Sequence, residues 1–257
     1  MCSSDLTWSM LGSGCVGKVS AELPIAWESM SWLTRRGQCP VTTFVLVPGA
    51  GGNASYWHRL VPELERLGHR ALAVDLPAAD PDAGLAAYAD TVVGTVVTAF
   101  GKAPDPLVLV AQSMGGLTAP LVCDRLPVRL LVLLNAMVPR PGETGGAWWA
   151  ATGHADPGDP TEAFFSDVPA DVAAAAQAEP FEQTGRPFED PWPLERWPDV
   201  PTRVLAGRDD RFFPLEFQRR VAADRLGLGV DEVPGGHLVA LSRPVELAER
   251  LVAYLTA

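Results

Sequence analysis

The stretch Leu107-Val108-Leu109-Val110-Ala111-Gln112-Ser113-Met114-Gly115-Gly116 decides how the rest of the chain is read. Five consecutive apolar residues, 107–111, have the length and composition of a strand buried on both faces. A helical pattern follows from Gly115, so Ser113 stands on a sharp turn between strand and helix. Ala111 and Gly115 flank it at two residues' distance on either side. Only small neighbours let a strand and a helix approach closely enough here, and the hydroxyl is left exposed at the carboxyl edge of a sheet. The helix that starts there aims free N–H groups and its positive dipole end at whatever the serine carries.

Outward from this turn, apolar runs of strand length alternate with longer helical patterns. Strands are expected at 42–47, 70–76, 107–111, 130–134, 202–206 and 230–233, and helices at 55–67, 85–100, 115–126 and 244–255. The alternation predicts an α/β fold, a mostly parallel central sheet with helices on both faces. The first strand runs into the glycine-rich turn Pro48-Gly49-Ala50-Gly51-Gly52. Between 136 and 201 the rhythm stops, and Trp148, Trp149, Phe164, Phe165, Trp192 and Trp197 gather there. A structureless loop of that length is uncommon in a compact domain, so short helices are expected, for example over 172–178. They predict a small helical cap, about 137–200, inserted after the strand ending near Asn135.

The serine turn resembles the nucleophile elbow of the α/β-hydrolase fold, with Ala111 where glycine is most frequent. A serine hydroxyl needs a base to take its proton, and the base needs a carboxylate to orient it. In this fold the chain order is serine, acid, histidine. Of the four histidines, His58, His69 and His154 precede any acid at a late strand end. Only His237, in Pro234-Gly235-Gly236-His237, follows one. The acid is one of two neighbours, Asp209 or Asp210, after the strand 202–206. Successive side chains of an extended segment point opposite ways, so only one can face His237. The oxyanion formed in acyl transfer needs two donors. The backbone N–H of Met114 is one candidate and that of Ala50, on the turn after the first strand, the other.

Further stretches carry a closer resemblance. They are Val45-Leu46-Val47-Pro48-Gly49-Ala50, Gly68-His69-Arg70, Asp75-Leu76-Pro77, Phe164-Phe165-Ser166-Asp167-Val168-Pro169, Pro214-Leu215-Glu216-Phe217-Gln218-Arg219 and Gly236-His237-Leu238. With the serine turn they make the span from about Thr42 onward similar to the plant methylesterase and hydroxynitrile lyase group of α/β-hydrolases and its bacterial esterase-like relatives. The resemblance implies a small cap over an apolar acyl or alcohol pocket, no cofactor and no metal. The family spacing Gly-x-x-Asp-x-x-x-Pro selects Asp210, leaving Asp209 to its own loop or an arginine. Lyases of the group carry lysine after the histidine and threonine in place of Gly49. Here Leu238 and Gly49 stand at those positions, which favours a serine esterase acting through an acyl-enzyme intermediate. Gly49, Trp57, Met137, Trp148 and Trp149 are candidates for the pocket wall.

Composition narrows the alternatives. The 257 residues carry 20 Lys and Arg against 31 Asp and Glu, a net charge of −11 with no basic run, which excludes nucleic acid and anionic membrane as partners. A small-molecule ester is the expected partner, and monomer and homodimer both stay open. Cys2, Cys15, Cys39 and Cys123 lack metal-ligand spacing. Residues 1–40 read as a mobile extension of the hydrolase domain, 41–257, with a second start available at Met30. No basic residue precedes Lys18, so a secretory n-region is missing and a cytoplasmic location is expected. Ser113 excludes the aspartate-nucleophile branches of the fold. Thioesterases and biosynthetic tailoring hydrolases share the triad and stay open. A small-molecule receptor with vestigial catalysis is the rival of another class, and an intact triad argues against it.

Overall fold

Six strands hydrogen-bond into one fully parallel sheet in the computed structural model, which describes residues 41–103, 107–155, 158–178 and 182–256. The expectations for residues 1–40, with Cys2, Cys15, Cys39 and Met30, lie outside those residues. The strands are β1 (Thr43–Val47), β2 (Arg70–Ala73), β3 (Leu107–Gln112), β4 (Val128–Leu134), β5 (Thr202–Gly207) and β6 (Val230–Val233), in the spatial order β2-β1-β3-β4-β5-β6. Helices cover both faces: α1 (Leu60–Arg66), α2 (Leu85–Phe100), α3 (Gly115–Thr118), α4 (Gly145–Thr152), α5 (Pro160–Phe165), α6 (Ala170–Ala178), α7 (Arg186–Glu189), α8 (Leu215–Leu226), α9 (Val239–Ser242) and α10 (Pro244–Ala253).

Strand alternation sorts the core into two layers. Leu107, Leu109 and Ala111 of β3 face a cluster with Tyr88, Val92 and Val96 of α2 and Val221 and Ala222 of α8. Val108 and Val110 face the other way, against Leu60 and Leu64 of α1 and Leu247 and Leu251 of α10. Side chains on successive strand residues point to opposite faces, so a strand covered on both sides reads as a continuous apolar run.

Chain order reverses between β1 and β3, which are neighbours in register, Val47 opposite Ala111. Open α/β sheets bind ligands at such a switch point, beyond the carboxyl ends of the strands. The turn after β1 and the turn carrying Ser113 therefore lie side by side at the carboxyl edge of the sheet.

Three expected elements are corrected. The helix over 55–67 is a 3-10 turn at Ala54–Trp57 followed by α1. Pro62 has no N–H for the His58 carbonyl and its ring collides with that turn, so the helix cannot run back through it. The helix over 115–126 stops at Thr118 and continues as a 3-10 segment, Ala119–Val122, because Pro120 breaks the ladder in the same way. The strand over 70–76 ends at Ala73 with its partner: β1 turns away after Val47, and only Val74 still donates to Leu46. Between β4 and β5, four short helices, α4 to α7, replace a long loop.

Candidate active site

Ser113 has φ +51°, and Asn135 at +45° is the other non-glycine with positive φ among the described residues. A left-handed backbone at such a residue costs about 1–3 kcal/mol and persists only where its surroundings over-determine it. They do so here. The Ser113 N–H donates to the Leu134 carbonyl at 3.2 Å, and the Ser113 carbonyl accepts from Gly116 (3.1 Å) and Met137 (2.9 Å). A Cβ on Gly116 would lie 2.0 Å from the Met137 oxygen, and one on Gly115 2.7 Å from the Pro48 oxygen. The small residues after the serine are thus required by close approach of two other segments.

β5 leads into the two neighbouring aspartates. Asp210 is 4% exposed, and its Oδ1 accepts the N–H groups of Phe212 and Phe213, both at 2.8 Å. Its Oδ2 lies 2.9 Å from Nδ1 of His237. Asp209 turns the other way: half exposed, it accepts the Gly235 N–H at 3.2 Å and sits 3.7 Å from Arg208. With Asp210 accepting, Nδ1 of His237 donates, and Nε2 is left as the acceptor facing Ser113 Oγ at 3.1 Å. Serine, imidazole and carboxylate form one continuous hydrogen-bonded chain at the carboxyl edge of β3, β5 and β6.

The remaining candidate residues fall in different places. Gly49 closes on the serine: a Cβ there would meet Gln112 Oε1 at 2.5 Å and Ser113 Cβ at 2.8 Å. Ala50 follows it on the exposed rim of that turn, and Met114 follows the serine at the start of α3. Met137 is buried and holds the Ser113 carbonyl through its N–H. Trp149 is half-buried against Phe212 and Phe213. Two of the expected pocket residues present no accessible surface. Trp148 is fully buried, its indole N–H donating to Val138 at 3.0 Å and its ring against Phe213 and Phe217. Trp57 is fully buried in the layer of Phe44, Leu46 and Leu60, because the 3-10 turn packs it down onto the sheet.

Several residues around His237 were given no role in the site from the sequence. Rings of Phe164, Phe212 and Phe213 lie 5.1, 4.9 and 5.2 Å from the imidazole and shield the relay from water. Asn135 donates to the carbonyls of Gly236 and His237, each at 3.1 Å. Its oxygen accepts from Gly207 (2.7 Å) and from Gln218 (3.2 Å), which also reaches the Phe213 carbonyl at 2.7 Å. Asp167 accepts the Gly236 N–H at 2.9 Å. The one signal for Asn135 was a polar residue straight after a fully apolar strand, which many loops share. Burial, with the nearby carboxylates of Asp210 and Asp167 adding to it, pushes the Tyr56 hydroxyl far above the ordinary tyrosine range, so it stays neutral. A surface cleft of about 630 Å³ opens between α4 and α8 rather than at Ser113, walled by His154, Arg211, Phe217 and Arg220. The Phe212 ring touches both His154 and His237 and stands between them. Among the described residues no group of three or more His, Cys, Asp or Glu is placed to hold a metal ion, and no helix is long and apolar enough to cross a membrane.

A parallel sheet with this strand order, a strained serine turn and an acid–histidine pair from later strands define the class, and residues 44–250 match the model of the alpha/beta hydrolase family, to which the chain belongs. Among its relatives, a pyrethroid hydrolase of Sphingobium wenxiniae is 25% identical over 249 residues, covering 84% of this chain and 89% of that one. Methylesterase 7 of Arabidopsis thaliana is 34% identical over 105 residues, 37% of this chain and 40% of that protein. Of the solved structures, polyneuridine aldehyde esterase superposes with a TM-score of 0.69 at 22% identity, covering 83% of this chain and 99% of that one. That likeness speaks for the fold.

Proposed function

We propose that the protein hydrolyses carboxylic esters of small, moderately apolar substrates through an acyl-enzyme on Ser113. Relatives named as a pyrethroid hydrolase and a methylesterase support the activity class, carboxylic ester hydrolysis. The observation that carries the residue assignment is the relay itself, 3.1 Å from Ser113 Oγ to His237 Nε2 and 2.9 Å from His237 Nδ1 to Asp210.

Ser113 Oγ attacks the ester carbonyl as His237 Nε2 takes its proton, and Asp210 stabilises the imidazolium that forms. Developing negative charge on the carbonyl oxygen is met by the N–H groups of Met114 and Ala50. Such donors contribute roughly 3–4 kcal/mol each when aimed at the transition state. His237 returns the proton to the departing alcohol, then activates water to release the acid. The insertion serves as a cap whose aromatic side chains exclude water and present an apolar wall. Gly49 leaves no hydroxyl beside the serine to hold a cyanohydrin, and Leu238 places no ammonium after the histidine, so hydrolysis is favoured over lyase chemistry.

Ser113→Ala is expected to lower turnover of p-nitrophenyl acetate by about 10⁴-fold or more, because members of such a relay act as one unit. Its thermal unfolding is expected to stay close to that of the wild type, since alanine keeps the same left-handed backbone and only a half-buried hydroxyl is removed. Turnover retained in a folded Ser113→Ala protein would overturn the proposal.

A further inference from the structure

Asp167 lies in the turn between α5 and α6, 69 residues from Gly236 along the chain, yet its Oδ2 accepts the Gly236 N–H at 2.9 Å. Gly236 is the residue before His237. Its N–H is thus held by the insertion, while its carbonyl is held by Asn135 from the end of β4 at 3.1 Å. The peptide that carries the imidazole is gripped from two sides, one belonging to the sheet and one to the insertion.

The grip is built at close quarters. A Cβ on Gly236 would lie 2.6 Å from Asp167 Oδ1 and 3.3 Å from Ser166 Oγ, so only glycine admits the carboxylate. Phe164, from the same segment, stacks on the imidazole at 5.1 Å. The arrangement is costly for packing alone. Asp167 Oδ1 and Ser166 Oγ are both buried without a hydrogen-bond partner. Burying a carboxylate with one oxygen unsatisfied is unfavourable, and an apolar side chain of similar volume would fill the space at lower cost. What the carboxylate supplies, and an apolar side chain would not, is an acceptor for the Gly236 N–H.

We infer that Asp167 is a positioning residue: through the Gly236 N–H it fixes the loop that carries His237, making the Ser113–His237 hydrogen bond conditional on the insertion being seated. The inference rests on the reading of Ser113 and His237 as nucleophile and base. Displacing a catalytic group by about 1 Å can cost as much as ~10²-fold in rate, so loss of one of two grips has a measurable effect.

The test uses the full chain and two readouts, the second-order rate of Ser113 labelling by a fluorophosphonate and the kcat and KM for p-nitrophenyl acetate, each normalised to titrated active sites. Asp167→Ala is expected to slow labelling and kcat about tenfold with KM within about twofold, the pattern of a lost transition-state contribution. Asp167→Asn keeps an oxygen for Gly236. It is expected to stay within about threefold of the wild type, since only the charge of the hydrogen bond is lost. Gly236→Ala, which drives a methyl into the carboxylate, is expected to resemble Asp167→Ala, and the double variant to be no slower than either. Should Asp167→Ala fail to fold, the asparagine and Gly236→Ala variants carry the test. Wild-type labelling by either Asp167→Ala or Gly236→Ala overturns the inference, as does an asparagine variant as slow as a folded alanine variant. Absence of labelling in the wild type would instead overturn the serine-nucleophile reading, and the inference with it.

Discussion

Asn135 ties as many groups together through its side chain as Asp210 does. It is fully buried, holds a left-handed backbone, and makes four hydrogen bonds that join the ends of β4 and β5, the histidine loop and α8. Asn is among the few residues that adopt this backbone at modest cost. Asn135→Ala strands the Gly207 N–H and the Gly236 carbonyl in the interior, leaves the His237 carbonyl to Gln112 Nε2 at 3.4 Å, and puts a Cβ-only side chain in a disfavoured conformation. Buried groups left unsatisfied cost about 1–3 kcal/mol each, reduced where they repack. A loss of about 2–4 kcal/mol in urea unfolding is expected, together with a fall in kcat because the histidine loop loses its hold on the sheet. Unchanged stability and turnover would mean that Gln218 and Gln112 suffice. Such a residue is hard to see in a sequence. The proposed triad, Ser113, Asp210 and His237, is legible because such chemistry needs fixed residue types at strand ends in a fixed chain order. A supporting amide has no such constraint, and the choice of Asp210 over Asp209 needed the family spacing before the structure gave its geometry.

At the scale of elements, the insertion is tied into the core by more than the histidine loop. α2 begins after Gly84, which has no side chain to cap it, and no acidic residue stands in its first turn. The cap comes from the end of α7: Asp190 Oδ2 accepts the Leu85 N–H at 2.9 Å and Oδ1 pairs with Arg186 at 2.7 Å. A Cβ on Gly84 would fall 2.0 Å from that oxygen, so the missing side chain makes room for the borrowed one. Loss of an N-cap acceptor costs about 1 kcal/mol, in the range 0.5–2. Asp190→Ala is expected to lower the urea midpoint accordingly with an unchanged m-value. No shift would show that solvent caps α2 equally well. The same scale explains what was legible of the fold. β1 and β3–β5 appeared as apolar runs because helices bury both their faces, and α2 as a stripe at 85, 88, 89, 92 and 96. The breaks at Pro62 and Pro120 were overridden in the reading by continuing apolar periodicity. The helices α4 to α7, four to nine residues long, are too short for a period to emerge, and their positions depend on contacts such as Asp190 with α2.

For the molecule as a whole, acid stability is the property the structure ties to a single histidine outside the site. His69 enters β2 at the edge of the sheet, buried beside Phe44, and its Nδ1 accepts the Thr42 N–H at 3.3 Å. Accepting there fixes the neutral ring with its proton on Nε2, and burial lowers the pKa below its ordinary value of 6.5. The unfolded chain therefore binds a proton at a higher pH than the folded one. Stability from this group is complete above pH 6.5 and is lost as pH falls from there toward the lower folded value. Thr42 and His69 lead into β1 and β2, and β1 is bonded to β3 along its length, so the loss enters cooperative unfolding of the sheet. His69→Gln retains an acceptor for Thr42 but does not titrate. Relaxation of the net charge of −11 as carboxylates protonate is common to both proteins and cancels in the difference between them. Urea unfolding free energies measured from pH 8 to pH 5 are expected to run parallel above about 6.5, the histidine pKa in the unfolded chain. Below it the wild type should fall more steeply. Parallel curves throughout would show that His69 accepts its proton without disturbing the Thr42 bond, and would refute the assignment of acid sensitivity to this edge of the sheet.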